Sequence, residues 1–150
     1  MYHALVRRRS RRLYTALNAA DPQPMLDSFA SKFAYTFVGD GHPLAGTRRN
    51  RWEMTAQLER VLRLFPGIHF SVRDILVNGW PWETRVGIVL AVRATLQDGS
   101  DYRNDIVQLL SLRWGRVHRV RTVIDTARLT DAFRRLDAAG ISEAHALPVS

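Results

Sequence analysis

Apolar positions in the first twenty residues recur at helical spacing. Val6, Leu13, Leu17 and Ala20 follow at steps of seven, four and three, which predicts one helix face, with Arg7, Arg8, Arg9, Arg11 and Arg12 opposite. Asp21-Pro22 reads as a break and restart, because Asp is a favoured N-cap and Pro at the first helical position loses no hydrogen bond. A short second helix carries Met25, Leu26 and Phe29 inward. Phe33, Tyr35 and Phe37 then alternate as in a half-buried strand, and Gly39-Asp40-Gly41-His42-Pro43 is a dense turn signal. The helical period returns from Thr47. Met54, Leu58, Val61, Leu62 and Phe65 share a face, and Pro66-Gly67 stops the helix.

Beyond Pro66 the pattern changes to strands. Four are predicted: Ile68 to Val77, Thr84 to Leu96, Tyr102 to Arg113 and Val117 to Asp125, broken at Asn78-Gly79, Asp98-Gly99 and Trp114-Gly115. Loops this short imply an antiparallel meander, since parallel strands need long crossovers. A last helix, Leu129 to Leu136, precedes a tail containing Gly140, Pro148 and Ser150. Helices followed by a meander make an α+β domain over residues 1–138, with 139–150 expected to be a mobile tail. The expected architecture is a curved antiparallel sheet, a cone-like half barrel wrapped by the N-terminal helices around one central pocket.

Composition narrows the function. A chain of 150 residues with 46% hydrophobic and 24% charged residues is an ordinary globular domain. The absence of cysteine excludes disulfides and thiolate chemistry. No stretch has signal-peptide or bilayer-spanning length, so a cytoplasmic protein without a membrane partner is expected. The formal charge of +8 comes from arginine, Lys32 being the only lysine. The arginines are spread over every segment with no aromatic-basic motif, which argues against a nucleic-acid partner.

Three stretches resemble one family: Phe37-Val-Gly-Asp-Gly-His-Pro-Leu-Ala-Gly46, Asp98-Gly-Ser-Asp-Tyr-Arg-Asn-Asp105, and Trp114 to Thr126, which ends in Ile124-Asp125-Thr126. Their order and spacing, from about residue 6 to 133, are similar to the SnoaL-like branch of the nuclear transport factor 2-like superfamily, with its ketosteroid isomerase-like fold. The resemblance implies a homodimer through the exposed sheet face and a pocket for an apolar small molecule. Relatives include polyketide cyclases, isomerases, dehydratases, epoxide hydrolases and binding proteins without catalysis. The Arg-x-Asp of the epoxide hydrolases falls on Val89-Leu90-Ala91 here, so that chemistry is missing.

The resemblance makes Asp125 the candidate general acid/base, acting on an apolar carbonyl compound in a cyclase, isomerase or dehydratase reaction. An Asp closing an apolar strand would have a raised pKa in such a pocket; equally, Asp-Thr before a helix is a common cap. Asp40 and His42 occupy a loop able to hold a second acid or base over the pocket mouth, or simply to turn. Asn104 and Gln108 share a strand face, where an amide could orient a carbonyl or hold a water, or equally pair with a backbone group at a sheet end; Asp105 points the other way. Tyr14 and Tyr35 are candidate oxyanion donors, as a Tyr is in the steroid isomerases the chain resembles; Trp52, Trp80 and Trp82 are candidate walls for an apolar ligand, or packing that plugs the open end of the sheet or serves a dimer surface. His69 and His118 lack partners at metal-ligand spacing, and neither phosphate loop nor nucleophile elbow is present. No metal and no organic cofactor are expected. The competing reading is a non-catalytic ligand-binding or dimerisation module on the same fold.

Overall fold

The computed structural model describes all of residues 1–150. Its elements run α1 (Tyr2–Asn18), α2 (Gln23–Asp27), β1 (Phe29–Phe37), β2 (Gly46–Arg48), α3 (Arg51–Leu64), β3 (His69–Trp80), β4 (Glu83–Thr95), β5 (Asp101–Arg113), β6 (Arg116–Ile124) and α4 (Thr126–Ala138), then a 3-10 turn at Ser142–His145. The six strands form one sheet in the order β2-β1-β6-β5-β4-β3. The outer strands β2 and β3 do not pair, so the sheet is open rather than a closed barrel.

Burial alternates along β4 and β5 almost without interruption, because a pleated strand sends successive side chains to opposite faces. Register shifts in β3, between Val72 and Asp74, and at the β5–β6 pairing, between Ser111 and Leu112, mark bulges that bend long strands. The concave face so produced carries the core, which Val6, Tyr14 and Leu17 of α1 and Met54, Leu58 and Leu64 of α3 cover. Asn18 ends α1 by turning its amide onto the strand beneath. Its Nδ2 donates to the Phe70 carbonyl at 2.9 Å, and its Oδ1 accepts the Phe70 N–H at 2.7 Å.

Five details differ from the sequence reading, the first being that Phe29 opens β1 rather than lying on the second helix. Most of the sheet is the expected antiparallel meander, but β1 lies parallel to β6. Periodicity assigns a strand's faces, not its direction. The stretch from Thr47 opens as β2, and α3 begins only after Asn50, whose side chain accepts the Glu53 N–H at 2.9 Å. Asn78-Gly79 is not the β3–β4 turn, because the strand continues to Trp80 and the chain reverses at Pro81-Trp82. Gly79 is nonetheless required there: its φ is +95°, and a Cβ would meet the Glu83 carbonyl oxygen at 2.3 Å. Ala20 lies past the end of α1, exposed, rather than on its buried face.

Beyond α4, Glu143 pairs with Arg63 at 2.7 Å and Arg60 at 3.3 Å, while Arg60 donates to the Leu147 carbonyl at 2.8 Å. These contacts join residues 143–147 to α3. No helix is long and apolar enough to cross a membrane.

Asn18→Ala removes both hydrogen bonds that clamp α1 to the start of β3. Leaving that N–H and C=O without their partner should lower unfolding free energy by about 2 kcal/mol. Urea denaturation followed by tryptophan fluorescence measures it, and a loss below about 0.5 kcal/mol would show that solvent replaces the clamp.

Candidate functional site

The concave face encloses a cavity in two adjoining chambers. The outer one, of about 140 Å3, lies under α1 and is walled by residues such as Leu13, Phe29, Ile88, Leu110 and Val117. The inner one, of about 70 Å3, lies under α3 and is walled by Phe37, Met54, Leu58, Phe70, Ile106 and Leu129 among others. Tyr14, Met25, Tyr35 and Gln108 line both.

Three of those shared residues belong to a continuous hydrogen-bonded row. The Tyr14 hydroxyl donates to Gln108 Oε1. Gln108 Nε2 donates to Thr122 Oγ1 at 3.1 Å, and Thr122 Oγ1 donates to the Tyr35 hydroxyl oxygen at 3.0 Å. The direction follows from the amide: with its oxygen accepting from Tyr14, its nitrogen has to donate to Thr122. Thr122 spends its single proton on Tyr35, which leaves the Tyr35 O–H as the last donor of the row. Burial pushes the hydroxyls of both tyrosines above the ordinary phenol range. At Tyr35 hydrogen bonding with Thr122, the charge of Arg48 and hydrogen bonding with Gln108 oppose that rise. Both tyrosines are therefore neutral hydrogen-bond donors at neutral pH.

Local sequence explains the row. Tyr35 follows Phe33 on the buried parity of β1, and β6 brings Val120 and Thr122 inward with the same period. Gln108 faces Thr122 directly in the β5–β6 register, and Tyr14 comes down from the buried stripe of α1.

Asp125 stands elsewhere. It is the N-cap of α4, where Oδ1 accepts the Ala127 and Arg128 N–H groups at 3.0 and 3.2 Å. Its side chain is 48% exposed and reaches Arg128 at 3.5 Å. It lines neither chamber, and the cap is the physical reason: two helix N–H groups attract the carboxylate out of the sheet. Asp40 is exposed in its loop and also away from both chambers. Neither chamber is lined by an Asp or Glu.

Asn104 is buried but occupied. Its Nδ2 donates to the Tyr102 hydroxyl at 2.8 Å and the Asp125 carbonyl at 3.0 Å, while its Oδ1 accepts the Asp105 N–H. It ties the end of β6 to β5. Its neighbour Tyr102, a wall of the inner chamber stacked on Phe65, has its pKa pushed up to about 12 by burial. His42 is packed among Phe37 and Phe133, with Nδ1 accepting the Leu44 N–H, and burial lowers its pKa. It fastens the loop rather than facing the cavity. Trp52, Trp80 and Trp82 are 72%, 65% and 55% exposed and line neither chamber. Trp80 and Trp82 stack on each other, with Trp114 beside them.

Of the ten candidate residues, the structure thus brings Tyr14, Tyr35 and Gln108 together and leaves the other seven outside the cavity. Two participants were missed. Thr122 was legible from its parity with Gln108 across the Trp114-Gly115 hairpin. Arg48 had no such signal, because an arginine in Thr47-Arg48-Arg49 reads as solvated surface. It is fully buried directly opposite Tyr35 in the β1–β2 register.

Residues 10–120 match the profile of the SnoaL-like domain. No curated protein matches the sequence. Among solved structures, PrhC from Penicillium brasilianum superposes with a TM-score of 0.75 at 16% identity, covering 91% of this chain and 90% of that one. AclR from Streptomyces galilaeus, described as a putative hydroxylase, gives 0.69 at 19% identity over 89% and 85%. A protein with a ketosteroid isomerase-like fold from Catenulispora acidiphila, in complex with trimethylamine, gives 0.69 at 11% identity over 83% and 90%. Likeness at these identities extends to the fold. With the profile spanning most of the sheet and its first helices, the chain belongs to the family of SnoaL-like domains.

Proposed function

We propose that this chain binds an apolar small molecule carrying one oxygen acceptor, seated in the concave-face cavity with that oxygen on the Tyr35 hydroxyl. The observation behind the proposal is the lining: two mainly apolar chambers that meet at a row of neutral hydrogen-bonding groups ending in the Tyr35 hydroxyl. Apolar burial supplies affinity, and one directed hydrogen bond in a dry site supplies orientation. The cyclase, isomerase or dehydratase reading made Asp125 its proton carrier. A carboxylate engaged in capping α4 favours the binding reading over that one.

The probes are 2-acetonaphthone, which has a carbonyl, and 2-ethylnaphthalene, which does not. Tyr35→Phe should weaken the ketone about tenfold, the cost of one net hydrogen bond, and leave the hydrocarbon within twofold. Titration calorimetry reads both. Equal losses for the two probes would mean that Tyr35 only shapes the wall. Asp125→Ala should leave ketone affinity within twofold and lower stability by about 1 kcal/mol, the worth of an N-cap. A tenfold loss of ketone binding in a folded Asp125→Ala protein would restore the carboxylate to the site.

We infer further that the chain pairs as a homodimer through the convex face of the sheet. Val89, Val107 and Val123 lie side by side across β4, β5 and β6, with Leu76 and Leu109 flanking Gly87 in the adjacent row. All five hydrophobic side chains are exposed, between 36% and 62%. An apolar patch continuous over four strands is unusual on a free surface. Leu109→Arg should shift the protein from dimer to monomer in sedimentation equilibrium, and a wild-type monomer at 100 μM would exclude the interface.

A further inference from the structure

Arg48 is a fully buried cation without a counter-ion. Its Nη1 donates to the carbonyls of Leu44 and Gly46 at 2.8 and 3.0 Å, and it forms no salt bridge. Its Nε and Nη2 have no partner at all. Those two nitrogens are the donors of one edge of the guanidinium plane, the pattern that pairs side-on with a carboxylate. Gln57, also buried, donates to the same Leu44 carbonyl at 3.1 Å and leaves its own Oε1 unpaired. The neighbouring charges do not resolve the imbalance, since Arg60 and Glu53 act on Arg48 in opposite senses.

A buried charge lacking both its ion partner and part of its hydrogen bonding costs several kcal/mol. Such a cost points to an absent partner. Leu44, which accepts from Arg48, and Tyr35, its cross-strand neighbour, both line the inner chamber. Arg48 lines neither chamber itself; it stands behind the Leu44 part of the inner wall, its charge acts on the Tyr35 hydroxyl, and neither chamber offers an acidic residue to neutralise it.

We propose that the cavity takes an apolar monocarboxylate, with Arg48 as the counter-charge of its head group at the Tyr35 end of the inner chamber. The inference rests on the binding function proposed above and names the class of ligand for that same cavity. The hydrocarbon body occupies the chambers, and one carboxylate oxygen takes the Tyr35 hydroxyl proton as its hydrogen bond. No covalent step is involved.

The test compares 2-naphthoate with 2-naphthamide at pH 7.5 by titration calorimetry, alongside 2-acetonaphthone. The wild-type protein should bind the carboxylate at least tenfold more tightly than the amide. Arg48→Met should abolish that preference while leaving amide affinity within threefold. Arg48→Lys, which keeps the charge but loses the planar edge, should retain a preference of two- to fivefold. Wild-type protein that binds acid and amide equally, or binds the amide and ketone but not the acid, overturns this inference alone. So does a preference unchanged in folded Arg48→Met. Failure of all three probes overturns the binding function and this inference with it. Because the wild-type comparison decides by itself, a variant that does not fold leaves the proposal exposed to refutation.

Discussion

The hydrogen-bonded row Tyr14–Gln108–Thr122–Tyr35 crosses a mostly apolar cavity, and its members are held there by α1, β5, β6 and β1. Each polar atom left unpaired in that interior would cost about 1–3 kcal/mol. The row therefore fixes more than itself. β5 and β6 must keep the register that sets Gln108 against Thr122, and β1 must lie beside β6 so that Thr122 reaches Tyr35. A one-residue slip in either pairing would turn one partner to the convex face and strand the others. The parallel β1–β6 contact, the least expected feature of the sheet, is the one that closes the row.

Helix α1 completes the constraint from above. Tyr14 delivers the first donor, and four residues later Asn18 clamps the helix end onto Phe70. At its other end, His3 Nε2 is hydrogen-bonded to the Gly79 carbonyl at 2.8 Å, and from mid-helix Arg9 donates to the Gly115 carbonyl at 2.9 Å. The arginine-rich face opposite the apolar stripe is partly a set of ties to the sheet: Arg7 also donates to the Ile75 carbonyl in β3. Those ties place the helix over the outer chamber without filling it.

Parity made much of this readable from sequence. The alternation at Phe33, Tyr35 and Phe37 puts Tyr35 inside, parity sets Gln108 on one face with Asn104, and the helical stripes of α1, short of Ala20, and of α3 supply buried core residues. Asp125 shows where parity stops being informative. It closes β6, and the sequence allowed either a pocket carboxylate or a cap; the first turn of α4 decides for the cap because two N–H groups wait there. The tryptophans mislead for a different reason. Large aromatics predict burial on average, yet Trp80, Trp82 and Trp114 lean against one another at the strand turns, more than half exposed, instead of entering the core. Arg48 was invisible because nothing in the order of residues distinguishes a guanidinium facing water from one sealed under a loop.

Arg48 also explains why the row need not contain a charge of its own. A carboxylate among these apolar walls would itself be expensive to ionise and would be driven to protonate. A guanidinium stays charged under almost any burial, so its field reaches the cavity at every physiological pH. Set opposite Tyr35 in the register rather than in the void, it adds no charge to the lining of either chamber and leaves the volume free, and it makes that end of the cavity more favourable for negative charge. The cost of holding it there is offset when an anion arrives. A cavity built this way discriminates by charge at one end and by shape along the rest.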